Sequence, residues 1–465
     1  MAQLPAGFVE RVTGITGGPF VLSDRPALES YGADALKIVH PADLVVLPAN
    51  TSEISRIAKL CDAARVPLVV RGGGTGYTGG AVPLQGGLVL SLERMNLILE
   101  IDELNLLARV QPNVITGDLQ DAVERVGLFY PPDPASLRQS AVGGNVAECA
   151  GGPRAFKYGT TKRYVLALEA VLPTGEIVHT GSKAVKNVVG YDLTQLLVGS
   201  EGTLAIITEI TLRLIPKPPA RATLLAEFRH IDAAVDAVTR LIQLRVVPAA
   251  IELIDGDSLN ALAGHTGTSM VSPGSGAAVL IEVDGTPDGV EEEIGLVDKA
   301  CRNAGALAIR HAGSDVEREA LWHLRRELSA ALKKISSVKV NNDVVVPRGR
   351  VPELFRLVDE LRRASGLPIA CFGHAGDGNI HVNIMVPQGT DTSGLMNVAR
   401  EAERKLFEGV VALEGSISGE HGIGFTKAPY LGLELSPEEI ALMKRVKVAF
   451  DPHGILNPGK IFPSG

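Results

Sequence analysis

Apolar positions along the chain fall into two kinds of run. Over residues 44–215 short, nearly continuous apolar stretches alternate with segments whose apolar positions recur every three or four residues. That alternation reads as strands interleaved with amphipathic helices. Strands are expected over residues 44–48, 66–70, 88–92, 107–111, 166–172 and 204–214. Thr51-Ser52-Glu53 opens a helix to about residue 64, and Asn113 opens another through Gly127. Pro216-Lys217-Pro218-Pro219 suits neither helix nor sheet and reads as a linker. Beyond it, strands over 222–228 and 278–283 mix with helices over 232–244, 290–304, 315–336 and 351–365. This half is expected to be α+β with an antiparallel sheet. Ser436-Pro437-Glu438-Glu439 starts a last helix to residue 450, with Ser as N-cap and Pro at its first position.

One pair of apolar runs frames chemistry. Residues 369–372 and 380–386 read as strands, and Asp377-Gly378 between them is a two-residue turn signal. A turn there pairs Gly376 with Asn379, Ala375 with Ile380, and His374 with His381. Paired residues share a sheet face with Cβ atoms roughly 5 Å apart. Two imidazoles so close suit a divalent metal, although a half-buried hairpin with two stacked rings has the same pattern. Asn383 falls on the same face.

Glycine changes the picture of the first half. Of 51 glycines, six lie in Arg71-Gly72-Gly73-Gly74-Thr75-Gly76-Tyr77-Thr78-Gly79-Gly80. The run contains GxGxxG, with Glu93 about 20 residues on, as in a dinucleotide fingerprint. That fingerprint requires a helix at the loop, and Pro83, Gly86 and Gly87 oppose one. A strand-loop-strand element rich in backbone N–H groups is expected instead, a nest suited to a pyrophosphate. Further glycine-rich runs follow at 143–159 and 190–204. Three such segments suggest a long ligand wrapped by backbone.

Composition narrows the class. The 465 residues are 45% hydrophobic and 21% charged with a net charge of −8, which fits a soluble globular chain of two or three domains. No basic run or aromatic cluster points to nucleic acid. Cys61, Cys149, Cys301 and Cys371 are too dispersed for a disulfide framework or iron–sulfur cluster. Neither a secretory signal nor a membrane-length apolar run is visible. A cytoplasmic location is expected, with peripheral membrane contact left open.

Together these motifs resemble the flavoproteins whose FAD domain is shared with vanillyl-alcohol oxidase. Within them they resemble the D-2-hydroxyacid dehydrogenase branch: D-lactate dehydrogenases, the FAD subunit of glycolate dehydrogenase and D-2-hydroxyglutarate dehydrogenases. The resemblance runs from about Tyr31 to Phe462. It implies an α+β chain with a two-part FAD-binding domain (1–216), an α+β substrate and metal-binding cap domain with an antiparallel sheet (217–430), and a C-terminal helix and tail returning to the FAD domain (431–465). Arg71, Gly72, Gly73, Gly74, Thr75, Gly76, Tyr77, Thr78 and Gly79 would hold the FAD pyrophosphate. Pro132, Asp133, Ser136, Gly143, Gly144 and Asn145 would line the flavin and ribityl region. Gly152, Tyr158, Gly159, Glu201, Gly202 and Ile207 would complete the bed. Relatives with covalent FAD carry His where this chain has Thr75, so non-covalent FAD is implied.

By the same resemblance His374, His381 and Glu420 are metal ligands and His421, in Ser418-Gly419-Glu420-His421-Gly422, is the catalytic base. Such a set fits zinc, and also manganese or iron. Arg325 lines up with a carboxylate-binding Arg, with Ser329 one turn later and Asn383 as a further substrate contact. Hydroxyglutarate-type members carry a Lys where this chain has Asn341, with Lys339 two residues earlier. That departure favours a small monocarboxylate, glycolate or D-lactate. The implied activity is oxidation of a 2-hydroxyacid to a 2-oxoacid, with electrons passed to a quinone, cytochrome or electron-transfer protein. Alternatives are a D-2-hydroxyglutarate dehydrogenase and a flavin subunit inactive without its partners. A homodimer is one assembly open to it.

Overall fold

The computed structural model describes residues 4–336, 338–387 and 392–463. The chain forms two compact units. Unit 1 comprises residues 1–151, 160–217 and 420–465, and unit 2 comprises residues 152–159 and 218–419.

Unit 1 holds two main sheets. Strands β1 (Val21–Leu22), β2 (Leu44–Val46), β3 (Leu68–Arg71) and β4 (Leu88–Ser91) align in the order β1-β2-β4-β3. β2 and β3 both run parallel to β4. Buried on both faces, these strands read as unbroken apolar runs. The helix Thr51–Ala64 covers one face. The Asn50 side chain accepts its Glu53 amide at 3.0 Å, and Ile54, Ile57, Ala58 and Cys61 form its buried stripe. Antiparallel strands β5 (Ile98–Asp102), β6 (Leu107–Val110), β8 (Val165–Val171), β9 (Ile177–Gly181) and β10 (Ile206–Arg213) form the second sheet, in the order β5-β6-β10-β8-β9. β7 (Leu128–Phe129) and β11 (Ile215–Pro216) make a short ladder. The final helix, Pro437–Phe450, opens with a reciprocal Ser436–Glu439 capping box.

Unit 2 is built on one seven-stranded antiparallel sheet. Its strands are β12 (Ala220–Phe228), β13 (Ala250–Asp255), β14 (Ala277–Gly285), β15 (Ala308–His311), β16 (Val338–Val345), β17 (Ile369–His374) and β18 (Asn379–Val386), in the order β15-β12-β14-β13-β17-β18-β16. The helix Asp315–Ile335 packs on one face, its Leu321, Trp322, Leu328 and Leu332 meeting Ala250, Leu280, Ala370 and Phe372 in a single core. The antiparallel α+β architecture matches the reading of the sequence. The helices over 51–64 and 351–365 have the expected bounds. The helix expected from Asn113 is shorter, at Thr116–Glu124.

The hairpin register differs from expectation. His374 pairs with Asn379, and His381 pairs with Phe372. The loop therefore spans Ala375–Gly378 rather than two residues. Two local features hold this longer loop. Asp377 accepts the Asn379 amide on its own side chain at 3.3 Å, and Gly378, at φ 86°, gives its carbonyl to the Val346 amide at 3.1 Å. A two-residue slip conserves parity, so His374, His381 and Asn383 still share a face.

Candidate active site

In unit 1 the first and third glycine-rich segments meet the start of the second, around residues 141–147. β3 and β4 are joined by residues 72–87 with no helix, so the GxGxxG is not a Rossmann turn. Glu93 accepts the Tyr31 hydroxyl at 2.9 Å and the Ser91 hydroxyl at 3.1 Å, as a local structural acid. A Cβ at Gly72 would lie 3.3 Å from Ala141 Cβ and 3.8 Å from the Gly144 amide nitrogen. The Gly199 amide donates to Val146 O at 2.9 Å and the Glu201 amide to Ala147 O at 2.8 Å. Asn457 then donates to both Gly80 O, at 2.9 Å, and Glu201 O, at 2.8 Å, linking the first segment to the third.

This convergence fits an extended, anionic, ring-bearing ligand such as FAD. A Cβ at Gly144 would meet nothing within 4 Å, so side-chain-free space opens there. The buried Asn113 Oδ1, 3.9 Å from that Gly72 Cβ position, has no hydrogen-bond partner. The Arg71 guanidinium turns inward and donates to Ala33 O, anchoring the loop. Burial lowers its pKa, opposed by Asp34, Tyr31 and Glu93. The Asn145 side chain donates to Thr116 Oγ1 at 2.6 Å, bracing the bed from beneath. Ile207 is buried in β10.

The returning segment that carries Glu420 and His421 is fastened to the same loop. Thr78 Oγ1 donates to His421 O at 3.0 Å, and the His421 and Tyr77 ring centroids lie 5.3 Å apart. The Phe425 amide donates to Thr78 O at 3.1 Å, and the Phe425 ring occupies the space a side chain at Gly79, φ 80°, would need. Glu201, itself at φ 53°, accepts the Ile423 amide at 2.7 Å and the Gly424 amide at 2.6 Å. Its carboxylate thus acts on the His421 loop, a role not visible in the sequence. Burial raises the pKa of Glu201 and, with the Glu201 charge beside it, of Glu148.

In unit 2 one face of the sheet gathers buried polar groups. The His374 and His381 ring centroids lie 5.3 Å apart, edge to face, an arrangement able to present two imidazoles to one divalent ion. Asp343 pairs across strands with His381, with Oδ1 3.6 Å from His381 Nδ1, and accepts Asn379 Nδ2 at 2.6 Å and the Gly419 amide at 3.0 Å. Gly419 immediately precedes Glu420. Asn383 donates to Ala370 O at 3.2 Å and His381 O at 3.1 Å, and its buried Oδ1 has no hydrogen-bond partner. Tyr158, with Gly152 and Gly159, belongs to this unit, where its hydroxyl donates to Asp284 Oδ2 at 2.7 Å.

Arg325 is 5% exposed. Its Nε meets Glu252, and its Cζ lies 4.8 Å from the Phe372 ring centroid. Glu252 also receives His374 Nδ1. Burial pushes the Glu252 carboxyl up, but Arg325 and His374 outweigh it and hold the group below the usual carboxylate range. Ser329, one turn beyond Arg325, accepts Lys339 Nζ at 3.3 Å. Glu252 and Asp343 were missed in the sequence. For Glu252 the available signal was an acid inside an apolar run, Ala249-Ala250-Ile251-Glu252-Leu253-Ile254, whereas Asp343 follows Asn341-Asn342 and has no such signal.

Comparison with known proteins identifies two family models along the chain. Residues 42–181 match the family model described as an FAD binding domain, and residues 217–461 match the one described as the C-terminal domain of FAD linked oxidases. The glycolate oxidase subunit GlcD of Bacillus subtilis is 44% identical over 90% of this chain and 89% of its own length. A D-2-hydroxyglutarate dehydrogenase of Stutzerimonas stutzeri is 34% identical over 95% of this chain and 96% of its own. Among solved structures, p-cresol methylhydroxylase superposes with a TM-score of 0.80 at 18% identity, covering 98% of this chain and 96% of that one.

The open space at Gly144 gives a test of the cradle. Gly144→Leu is expected to lower FAD affinity ~100-fold, about 3 kcal/mol, with the thermal unfolding temperature of the FAD-free protein nearly unchanged. Flavin absorbance of the purified protein and calorimetric FAD titration measure it. Full FAD occupancy in the variant contradicts the assignment.

Proposed function

The chain belongs to the family of FAD-linked oxidases, with the vanillyl-alcohol oxidase type of FAD-binding fold, and we propose on that footing that it oxidises a D-2-hydroxyacid, glycolate or D-lactate, to the 2-oxoacid. The observation that carries this reading is the buried group on the unit 2 sheet, where an arginine suited to a carboxylate and two imidazoles suited to a metal share one face.

FAD, held non-covalently because Thr75 stands at the attachment position, would supply a hydride acceptor at flavin N5. A divalent metal, zinc, manganese or iron, would be held by His374, His381 and Glu420 and would supply Lewis acidity toward the substrate hydroxyl. The rest is the work of this chain's side chains. Arg325 binds the substrate carboxylate through its terminal nitrogens, a fork that Lys cannot reproduce. His421 accepts the hydroxyl proton on its ring as general base. Its attachment to the glycine loop through Thr78 and Tyr77 supports a position beside the cofactor. Asn383 braces the His381 backbone. Electrons then leave to a separate acceptor, and the subunit naming of the Bacillus relative supports a partner protein for that step. Among the described residues no helix is long and apolar enough to cross a membrane.

Lys339 favours a second reading, oxidation of D-2-hydroxyglutarate. It lies two residues from Asn341 on the same face of β16. Burial, with Lys333 nearby, pushes its amine down to about 7. A second substrate carboxylate would be a natural partner for that amine.

His421→Asn is expected to slow anaerobic flavin reduction by the hydroxyacid ~10²–10⁴-fold with FAD content unchanged. Stopped-flow bleaching at the wild-type rate contradicts the base role. Lys339→Met separates the two substrate readings. Under the second, KM for D-2-hydroxyglutarate rises ~10-fold or more while KM for glycolate holds. The wild-type KM for hydroxyglutarate also rises as pH passes upward through about 7, because the amine loses its charge there. An unchanged hydroxyglutarate KM in the variant leaves the monocarboxylate reading.

A further inference from the structure

We propose that Glu252 is a positioning residue that couples metal binding to substrate binding by holding His374 with one carboxylate oxygen and Arg325 with the other. The proposal rests on the metal-dependent reading for its first half and on the carboxylate-binding role of Arg325 for its second.

Strand register and helix packing bring the three together. Glu252 lies directly opposite His374 in the β13–β17 ladder. Arg325 descends onto the same face from the helix Asp315–Ile335, whose Trp322 one turn earlier is anchored by Nε1 donation to Glu282 at 2.8 Å. The division at Glu252 is clean: Oε1 meets His374 Nδ1, and Oε2 meets Arg325 Nε. The Glu252 side chain is 0% exposed, so water cannot replace either partner. A buried carboxylate stripped of its donors is strongly disfavoured, so the pairing is preferred over alternative rotamers.

Each contact has a chemical consequence. A carboxylate accepts hydrogen bonds, so His374 carries its proton on Nδ1. The ring nitrogen that bears the lone pair, and so the one able to ligate a metal, is then Nε2, and the ring plane is set by the Glu252 contact. With Nε committed to Glu252 and the guanidinium lying at the Phe372 ring, Arg325 presents its Nη1–Nη2 edge as the remaining fork. One buried anion therefore selects the tautomer of a metal ligand and orients the substrate clamp. It touches neither metal nor substrate in this role.

Glu252→Gln retains the shape but replaces one acceptor oxygen with an amide donor, so it cannot accept from both partners. In the FAD-loaded, metal-stripped protein, calorimetric titration with Zn²⁺ is expected to show affinity 10–100-fold weaker than wild type. KM for glycolate or D-lactate should rise about 10-fold, with FAD content unchanged. Glu252→Asp, which keeps the charge, should recover part of one effect but not both, being one methylene too short. Wild-type Zn²⁺ affinity and KM in Glu252→Gln overturn the proposal. Nitrogen-15 NMR of histidine-labelled wild-type protein without metal tests the tautomer independently of any variant. A proton on Nδ1 of His374 supports the proposal, and a proton on Nε2 overturns it. Should wild type bind no Zn²⁺, Mn²⁺ or Fe²⁺ while His374 still carries the Nδ1 proton and Glu252→Gln still raises KM, the metal-dependent reading fails. The Arg325 half of the proposal then stands and its metal half falls.

Discussion

A carboxylate sealed from water stays ionised only where donors inside the protein meet it, and that requirement shapes both units. In unit 2, Glu252 is met by Arg325 and His374, and Asp343 by Asn379 and the Gly419 amide. In unit 1, Glu201 is met by the Ile423 and Gly424 amides, and Asp451 by the Ile455 and Leu456 amides and by Lys447. Each acid fixes a segment distant in sequence. Their removal would expose unpaired donors in a low-dielectric interior, which is why the attached loops have few alternative positions.

The consequence for function is positional. Unit 1 holds the glycine-lined cradle together with the His421 loop, whose main-chain anchors are Glu201 and Thr78. Unit 2 holds Arg325, His374 and His381 on the face of a sheet. Neither a strand nor a helix alone would set these side chains. The β13–β17 register places Glu252 against His374, and the helix Asp315–Ile335 adds Arg325 from above, with Trp322 and Glu282 limiting its slide.

Much of this was legible in the sequence, for identifiable reasons. The helix Thr51–Ala64 announces itself through its Asn50 cap and regular apolar stripe, and the absence of a helix after the glycine loop follows from Pro83, Gly86 and Gly87. His374 and His381 could be placed on one face because strand parity survives a two-residue change of loop. The loop length itself could not be read, because it depends on the amide of Val346, a residue some thirty positions earlier, donating to the Gly378 carbonyl. The role of Glu252 could not be read for a similar reason, although its place in an apolar run marks it as unusual. Inside an apolar run it looks like a strand's solvent-facing residue, and only the arrival of Arg325 from a distant helix makes its burial tolerable. Glu201 reads as part of a glycine-rich cofactor segment, whereas its side chain serves residues 423 and 424.

The central proposal is that this FAD-linked oxidase oxidises a 2-hydroxyacid with the help of a divalent metal. Anaerobic reduction of the FAD-loaded protein by glycolate and by D- and L-lactate, with metal analysis of the same sample, tests it most directly. The account predicts bleaching by glycolate or D-lactate and not by L-lactate, loss of bleaching after chelation, and recovery when Zn²⁺ or Mn²⁺ is restored. Undiminished bleaching in metal-free protein, or no bleaching by any 2-hydroxyacid with metal present, would contradict it.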